Sequence, residues 1–294
     1  MRKLLIGLFL AIGVLTAQAE VKINNVWFQL DRKAKLATVV AAEDGSHAEL
    51  ETVVIPHTVV YNCEEYMVVG IGENAFRECK KLKTVRVHQY LSFIGEEAFA
   101  HCTALRSFAL LDEDEEDYAE SYYQPYYDQY EAYCDGYKSK AIHSYTGGYI
   151  GASAFDECTA LETVQFPKYI YTLKYGAFYQ CTALKSIDLP ETLVLMEADA
   201  FWACTALESV TIHERLRYIC EGAFEECTAL REVINRATKP QKIQGEGSST
   251  YDAVFQGIDL SRCTLYVPQK SLPKYRKTAV WQDFGQIRSL EEAE

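Results

Sequence analysis

Short apolar stretches alternate with polar positions along this chain, and the same pattern returns at a fixed spacing. The segment IGASAFDECTALETVQF at 150–166 has counterparts at 71–87, 94–110, 173–189, 196–212 and 219–235. The cysteines of these six segments are separated by 23, 56, 23, 23 and 23 residues, where 56 is one period of 23 plus 33 inserted residues. A fixed period of this size predicts a solenoid, in which each repeat covers the apolar face of the next.

Each repeat predicts one strand and one turn. The L-x-x-V-x-L segment predicts a short strand that pairs in parallel with its neighbours, so Leu184, Ile187 and Leu189 point inwards, whereas Ser186 and Asp188 point outwards. The recurring Ala-Phe pair predicts a column of buried rings, each contributing roughly 2 to 3 kcal/mol. We interpret the stretch from Ala-Phe to Cys-Thr-Ala as a short helical turn on the opposite face.

The cysteines predict packing rather than chemistry. Six of them occupy one position of the repeat, which indicates a column of buried free thiols: Cys79, Cys102, Cys158, Cys181, Cys204 and Cys227. Disulfides within this column are not expected, because equivalent residues of adjacent strands lie about 4.8 Å apart and point the same way, whereas the Cβ atoms of a disulfide lie about 3.8 Å apart. The remaining four, Cys63, Cys134, Cys220 and Cys263, lie off the column and could be paired or free.

The first nineteen residues predict a secretory signal peptide. Arg2 and Lys3 precede an apolar stretch at 4–15, and Ala17-Gln18-Ala19 has the small residues of a cleavage site. No later stretch reaches the roughly 18 to 20 apolar residues of a membrane span, so no membrane insertion is expected. The mature chain is therefore expected at the cell surface, in the medium or in the periplasm, and as a monomer.

Charge and motifs narrow the function further. The net charge of −13, or about −15 without Arg2 and Lys3, disfavours nucleic acid and anionic lipid as partners. The sequence has no G-x-S-x-G, H-E-x-x-H, P-loop or paired C-x-x-C motif. We therefore predict no enzyme activity, no catalytic or metal-binding residues and no cofactor. His88 and His213 occupy the slot that holds Pro167 and Pro190 in other repeats, which indicates repeat variation.

An insertion at 112–149 interrupts the repeats. It holds ten of the 21 tyrosines, and ten carboxylates against Lys138 and Lys140. Insertions in solenoids map to loops on one face, and tyrosine is enriched in recognition surfaces. One interpretation is an acidic recognition loop for a basic or sugar-bearing partner; the other is an excursion whose tyrosines pack on neighbouring coils. The first candidates for binding are Tyr122, Tyr123, Tyr126, Tyr127 and Tyr130.

The outward face of the strands is a second candidate surface. Extended sheet faces are what repeat arrays use for binding, but these positions are small, polar and without an aromatic anchor. An ordinary solvated face is therefore an equal interpretation. The candidate residues are Arg86, Thr163, Gln165, Ser186, Asp188, Ser209 and Thr211.

The pattern I-G-x-x-A-F-x-x-C-x-x-L-x-x-V-x-[LIF]-P resembles the BspA-like leucine-rich repeats of exported Bacteroidetes proteins. The resemblance extends to WFQLDRKAKLATVVA near the start and CTLYVPQKSLPKYRKTAVWQDFGQI at 263–287. It implies a leucine-rich repeat solenoid with an N-terminal β cap at 20–70, repeats at 71–241, and a degenerate last repeat with a C-terminal helical cap at 242–294.

The family resemblance implies a function in recognising other molecules, because such proteins are associated with binding host matrix or plasma glycoproteins and with adhesion. It supplies no catalytic or binding residues that can be carried over to this sequence. The expected function is non-catalytic binding of a protein or glycan partner. The alternative is a periplasmic structural or assembly scaffold, and an enzyme with its site in the insertion is a distant third.

Overall fold

A computed structural model describes residues 19–111, 147–244 and 253–292 as a solenoid of short strands. The strands are β1 (Ala19–Ile23), β2 (Val26–Asp31), β3 (Leu36–Val39), β4 (Thr52–Ile55), β5 (Thr58–Tyr61), β6 (Glu64–Ile71), β7 (Thr84–Val87), β8 (Phe93–Ile94), β9 (Ser107–Leu110), β10 (Gly148–Ile150), β11 (Thr163–Val164), β12 (Ile170–Leu173), β13 (Ser186–Asp188), β14 (Leu195–Met196), β15 (Ser209–Ile212), β16 (Tyr218–Cys220), β17 (Glu232–Asn235), β18 (Lys242–Gln244), β19 (Thr264–Val267) and β20 (Gln286–Ser289). The described helices are α1 (Leu272–Tyr275) and 3-10 turns at Ser46–Glu49, Ala253–Phe255, Leu260–Arg262, Gln269–Ser271, Trp281–Asp283 and Leu290–Glu292.

The strands form three sheets, and each coil contributes one strand to each side of the solenoid. The L-x-x-V-x-L segments form two successive parallel sheets in the orders β4-β7-β9-β11 and β13-β15-β17-β19-β20. On the other side, β6, β8, β10, β12, β14, β16 and β18 pair in parallel as one sheet. This sheet continues through β3 into the antiparallel strands β2 and β1, and β5 pairs antiparallel with β6.

This second sheet corrects the expectation of short helical turns opposite the strand face. The stretch after Ala-Phe is a non-helical turn, because alternate backbone N–H groups bond to the next coil, and those between them bond three residues back in their own coil. Phe76 N–H donates to the Ala98 carbonyl at 2.7 Å, and Phe178 N–H donates to the Ala200 carbonyl at 2.8 Å. A helix would need those donors internally.

Two residues of every turn adopt the left-handed conformation, which ends any helical path. One precedes Ala-Phe: Asn74, Glu97, Ser153, Gly176, Asp199 and Gly222. The other precedes the cysteine: Glu78, His101, Glu157, Gln180, Ala203 and Glu226. Close approach between coils requires glycine at a third position in the early repeats, since a Cβ on Gly95 would lie 2.5 Å from Glu73 N, and one on Gly151 would lie 2.5 Å from Glu96 N.

The core is a continuous column of stacked rings between the sheets. Its phenylalanines are Phe76, Phe99, Phe155, Phe178, Phe201, Phe224 and Phe255. Neighbouring ring centroids lie 4.9 to 5.6 Å apart with nearly parallel planes. His47 stacks on Phe76 at one end, and Trp281 and Phe284 meet Phe255 edge-on at the other. Burial of these rings supplies much of the hydrophobic stabilisation of the solenoid.

The C-terminal segment docks through a few polar contacts around α1. Tyr275 hydroxyl donates to the Ala237 carbonyl at 3.0 Å, and Ser271 hydroxyl donates to the Thr238 carbonyl at 3.1 Å. The helix spans four residues, and the chain then adds β20 in parallel to β19. This end therefore contains a short helix after β19 and one further strand beyond it.

Candidate recognition surfaces

The six repeated cysteines are buried free thiols, as the sequence predicts. Five of them donate to the phenylalanine carbonyl of the preceding coil: Cys102, Cys158, Cys181, Cys204 and Cys227, with S···O distances of 3.0 to 3.2 Å. Burial raises the pKa of Cys102 to about 12 and that of Cys79 to about 11. A nucleophilic thiol needs a lowered pKa, so this column is packing rather than chemistry.

The other described cysteines are free as well, and they lie in different surroundings. Cys63 is exposed, and Cys220 is half-buried with its pKa raised by burial to about 11. Cys263 is buried in the last coil, where its thiol donates to the Leu230 carbonyl at 3.0 Å. Cys134 lies outside the described residues.

Within residues 19–111, 147–244 and 253–292, no three or more His, Cys, Asp and Glu side chains come together as a metal-binding group. His101 lies beside the buried Cys102 in sequence, but its ring nitrogen contacts Glu157 at 3.2 Å while the Cys102 thiol is bonded to a backbone carbonyl. His88 is fully buried at the end of β7, and burial lowers its pKa to about 3. Both therefore have structural roles.

The strand-face candidates divide between the two L-x-x-V-x-L sheets. The strands of the first sheet contain Arg86 and Thr163, and Gln165 directly follows one of them. The strands of the second sheet contain Ser186, Asp188, Ser209 and Thr211. In the second group Ser186 pairs with Ser209, and Asp188 with Thr211, so the four lie side by side. β11 and β13 belong to different hydrogen-bonded sheets, and the face is therefore interrupted between Gln165 and Ser186.

Several of these side chains already have partners within the fold. The Gln165 side-chain oxygen accepts from the Leu110 N–H at 2.8 Å, and Thr163 hydroxyl donates to Ser107 Oγ at 3.2 Å. Asp188 contacts His213 Nε2 at 2.8 Å. Ser186 is exposed on the edge strand of its sheet, and its paired neighbour is Ser209. The tyrosine candidates of the insertion, Tyr122, Tyr123, Tyr126, Tyr127 and Tyr130, lie outside the described residues.

Comparison with known proteins identifies the family. The model of the BspA type leucine rich repeat region matches six copies, at residues 46–125 and 132–265. This chain belongs to the BspA-type leucine-rich repeat family. No curated protein matches its sequence.

Two solved structures of leucine-rich repeat proteins are similar to this chain. A leucine-rich repeat protein of T. pallidum superposes with a TM-score of 0.53 at 21% identity, covering 73% of this chain and 81% of its own. A leucine-rich repeat protein of Bacteroides ovatus has a TM-score of 0.46 at 16% identity, covering 92% of this chain and 76% of its own. At these identities the first likeness supports the fold alone. No helix among the described residues combines the length and apolarity that a membrane crossing needs.

The BspA-type turns carry one surface that the sequence did not single out. The residue after the column phenylalanine is at least partly exposed in every coil but the second, where Ala100 is buried. In successive coils it is Arg77, Ala100, Asp156, Tyr179, Trp202 and Glu225. Tyr179 and Trp202 stack with centroids 4.5 Å apart and planes 11° apart. Reading this single column of the repeat alignment would have found the aromatic pair, since large rings are unusual at a solvated position.

Proposed function

We propose that this BspA-type protein is a non-catalytic exported recognition protein that binds a protein or glycan partner. The observation that supports it most directly is the solenoid itself: the interior is filled by rings and inert thiols, and the outer surfaces of neighbouring coils lie in rows. In such arrays, rows of outward side chains are the usual binding surface. No catalytic family is indicated by the comparisons.

The proposal includes export and closure of the two ends. Residues 1–19 act as the signal peptide, and the mature protein resides at the cell surface, in the medium or in the periplasm. The antiparallel strands β1 and β2 cap the N-terminal coil, and the segment from α1 to β20 caps the last coil. Solenoids need such ends because an open coil exposes apolar surface and unpaired backbone groups.

Two surfaces are proposed for the contact. One is the second-sheet part of the strand face, with Ser186, Asp188, Ser209 and Thr211. The other is the acidic, tyrosine-rich insertion with Tyr122 and Tyr130 among its candidates. The alternative function, a periplasmic scaffold for envelope components, uses the same fold without an external ligand.

Binding of the mature protein to a panel of matrix proteins, mucins and glycans tests the proposal. One variant replaces residues 112–146 with a short linker, which keeps β10, and another carries Ser186→Arg on the exposed strand face. Thr205→Arg, an exposed turn position in the coil of Ser209, is the matched control. Circular dichroism verifies that all are folded.

Loss of binding with one variant, and not with Thr205→Arg, assigns the site to that surface. Binding that survives both changes contradicts these two surfaces and moves the contact elsewhere on the solenoid. If no member of the panel binds the mature protein, the adhesin-like function is wrong and the scaffold alternative is favoured.

A further inference from the structure

The turn edge of the third to sixth coils carries a mixed aromatic and acidic patch. We define the turn-edge patch as Asp156, Tyr175, Tyr179, Asp199, Trp202 and Glu225. Equivalent residues of neighbouring coils are about 4.8 Å apart, so the patch runs about 14 Å from Asp156 to Glu225. Tyr175 is one of the few large apolar side chains that are half exposed, at 52%.

The aromatic pair presents ring edges rather than ring faces. Tyr179 and Trp202 stack on each other across adjacent coils, and their outer faces point along the solenoid towards the coils of Asp156 and Glu225. A sugar ring binds an aromatic side chain by lying flat on its open face. The geometry of this pair therefore disfavours a glycan and leaves a narrow apolar strip of edges exposed to solvent.

Carboxylates border this strip, and among the described residues only Asp156 has cations acting on it, from Arg77 and His101. Among residues 19–111, 147–244 and 253–292, no lysine or arginine forms an ion pair with Asp156, Asp199 or Glu225. Asp156 Oδ1 is buried and has no hydrogen-bond partner, and burial raises the pKa of this carboxyl. Asp199 and Glu225 are therefore the carboxylates left for a cation from outside the chain.

The other two carboxylates lie beside the aromatic side chains. Asp199 is close enough to Tyr175, and Glu225 to Trp202, for each pair to interact electrostatically. Asp199 leans over the next coil, where Gly222 leaves the room that a Cβ would fill. Rings and carboxylates therefore lie together in one patch.

The local electrostatics agree with this geometry. Burial, and next the charge of Asp199, raise the pKa of Glu225. The charge of Asp199 raises the pKa of Tyr175, and burial with the nearby carboxylates raises that of Tyr179. These directions indicate a negative potential that an added cation would relieve.

We propose that the turn-edge patch binds an arginine- or lysine-bearing segment of a basic partner protein. The aliphatic stem of such a side chain packs along the ring edges of Tyr179 and Trp202, and its charged end meets Asp199 or Glu225. The fit combines one apolar strip with acceptors beside it, which matches the amphipathic shape of these side chains. The inference rests on the proposed recognition function, for which it names a partner class and a third surface.

A synthetic peptide of alternating arginine and glycine tests the proposal, with binding to the mature protein followed by fluorescence anisotropy. The matched peptide carries citrulline for arginine, which keeps the shape and removes the charge. We expect the arginine peptide to bind, the citrulline peptide to fail, and Trp202→Ala and Asp199→Asn each to weaken binding about tenfold. Asparagine tolerates the left-handed backbone of residue 199.

The control for general attraction to a protein of charge −13 is Glu96→Gln, which removes the same charge from an exposed turn position of the second coil. Equal weakening by Glu96→Gln and Asp199→Asn overturns the proposal, because only net charge then matters. Equal binding of the citrulline peptide, or no binding of the arginine peptide at millimolar concentration, also overturns it. Neither result would contradict the proposed recognition function. That function is tested separately by the panel of matrix proteins, mucins and glycans, where loss of binding with Ser186→Arg would assign recognition to the strand face.

Discussion

The two ends of the ring column are closed by different chemistry. At the N-terminal end His47 takes the position of a phenylalanine: it stacks on Phe76 at 4.6 Å, its Nε2 accepts from the Trp27 N–H at 3.1 Å, and its Nδ1 lies 2.8 Å from the Ala75 carbonyl. Since Nε2 is an acceptor, the proton is on Nδ1 and the ring is neutral. One side chain therefore fills the column and satisfies two backbone groups.

At the C-terminal end these two tasks are separated. Trp281 and Phe284 close the column with apolar rings, and the Trp281 indole N–H is buried without a partner among the described residues. The backbone beside them is satisfied from elsewhere: Asn235 and Gln241 bond to each other, and Asn235 accepts from the Ala237 N–H at 3.1 Å. The comparison indicates that the N-terminal end is sensitive to pH, and that the C-terminal end depends on apolar volume.

The largest expected effect is at the apolar end. Trp281→Ala removes a fully buried ring and should lower the free energy of unfolding by about 3 to 5 kcal/mol, measured by chemical denaturation. Trp202→Ala is the matched control, because that ring is half exposed and its stack on Tyr179 is worth about 0.5 to 1.5 kcal/mol. Similar losses for the two tryptophans would show that Trp281 does not close the column.

A smaller effect is expected at the polar end. His47→Phe keeps a ring on Phe76 but leaves the Trp27 N–H and the Ala75 carbonyl without their partners, which should cost about 1 to 3 kcal/mol. His47→Gln offers a carbonyl oxygen and an N–H to the same two groups. A phenylalanine variant at least as stable as the wild type would contradict the role of these hydrogen bonds.

The sequence predicts the features that every repeat shares. The phenylalanine column and the buried thiols follow from one residue type at one position in six coils, because a repeated position has a repeated environment. The second sheet escaped prediction since its strands, such as β8 and β14, are two residues long and show no alternation. His47, Trp281 and Phe284 depart from the repeat pattern, so their stacking on the column emerges only in three dimensions. The aromatic pair, by contrast, occupies one position of two adjacent repeats, so the repeat alignment contains it.

The pH dependence of stability sharpens the comparison of the two ends. Burial lowers the pKa of His47 below its usual 6.5, so between the two pKa values the unfolded chain binds a proton that the native chain does not. Its contribution to stability is therefore complete above pH 6.5 and is lost as the pH falls. His88 titrates in the same direction, so the difference between wild type and His47→Gln isolates His47. Denaturation midpoints at several pH values should converge for the two proteins as the pH falls; parallel curves would contradict this assignment.

The smallest expected effect concerns the first thiol of the column. Cys204 donates to the Phe178 carbonyl at 3.2 Å, whereas the structure gives Cys79 no acceptor among the described residues. Cys204→Ala should therefore lower the free energy of unfolding by about 0.5 to 1 kcal/mol more than Cys79→Ala, since both remove a buried sulfur but only one removes a hydrogen bond. Cys204→Ser, which restores a donor, is the control. Equal losses in the free energy of unfolding for the two alanine variants would mean that the thiol hydrogen bonds do not stabilise the fold beyond the packing of the sulfur atoms.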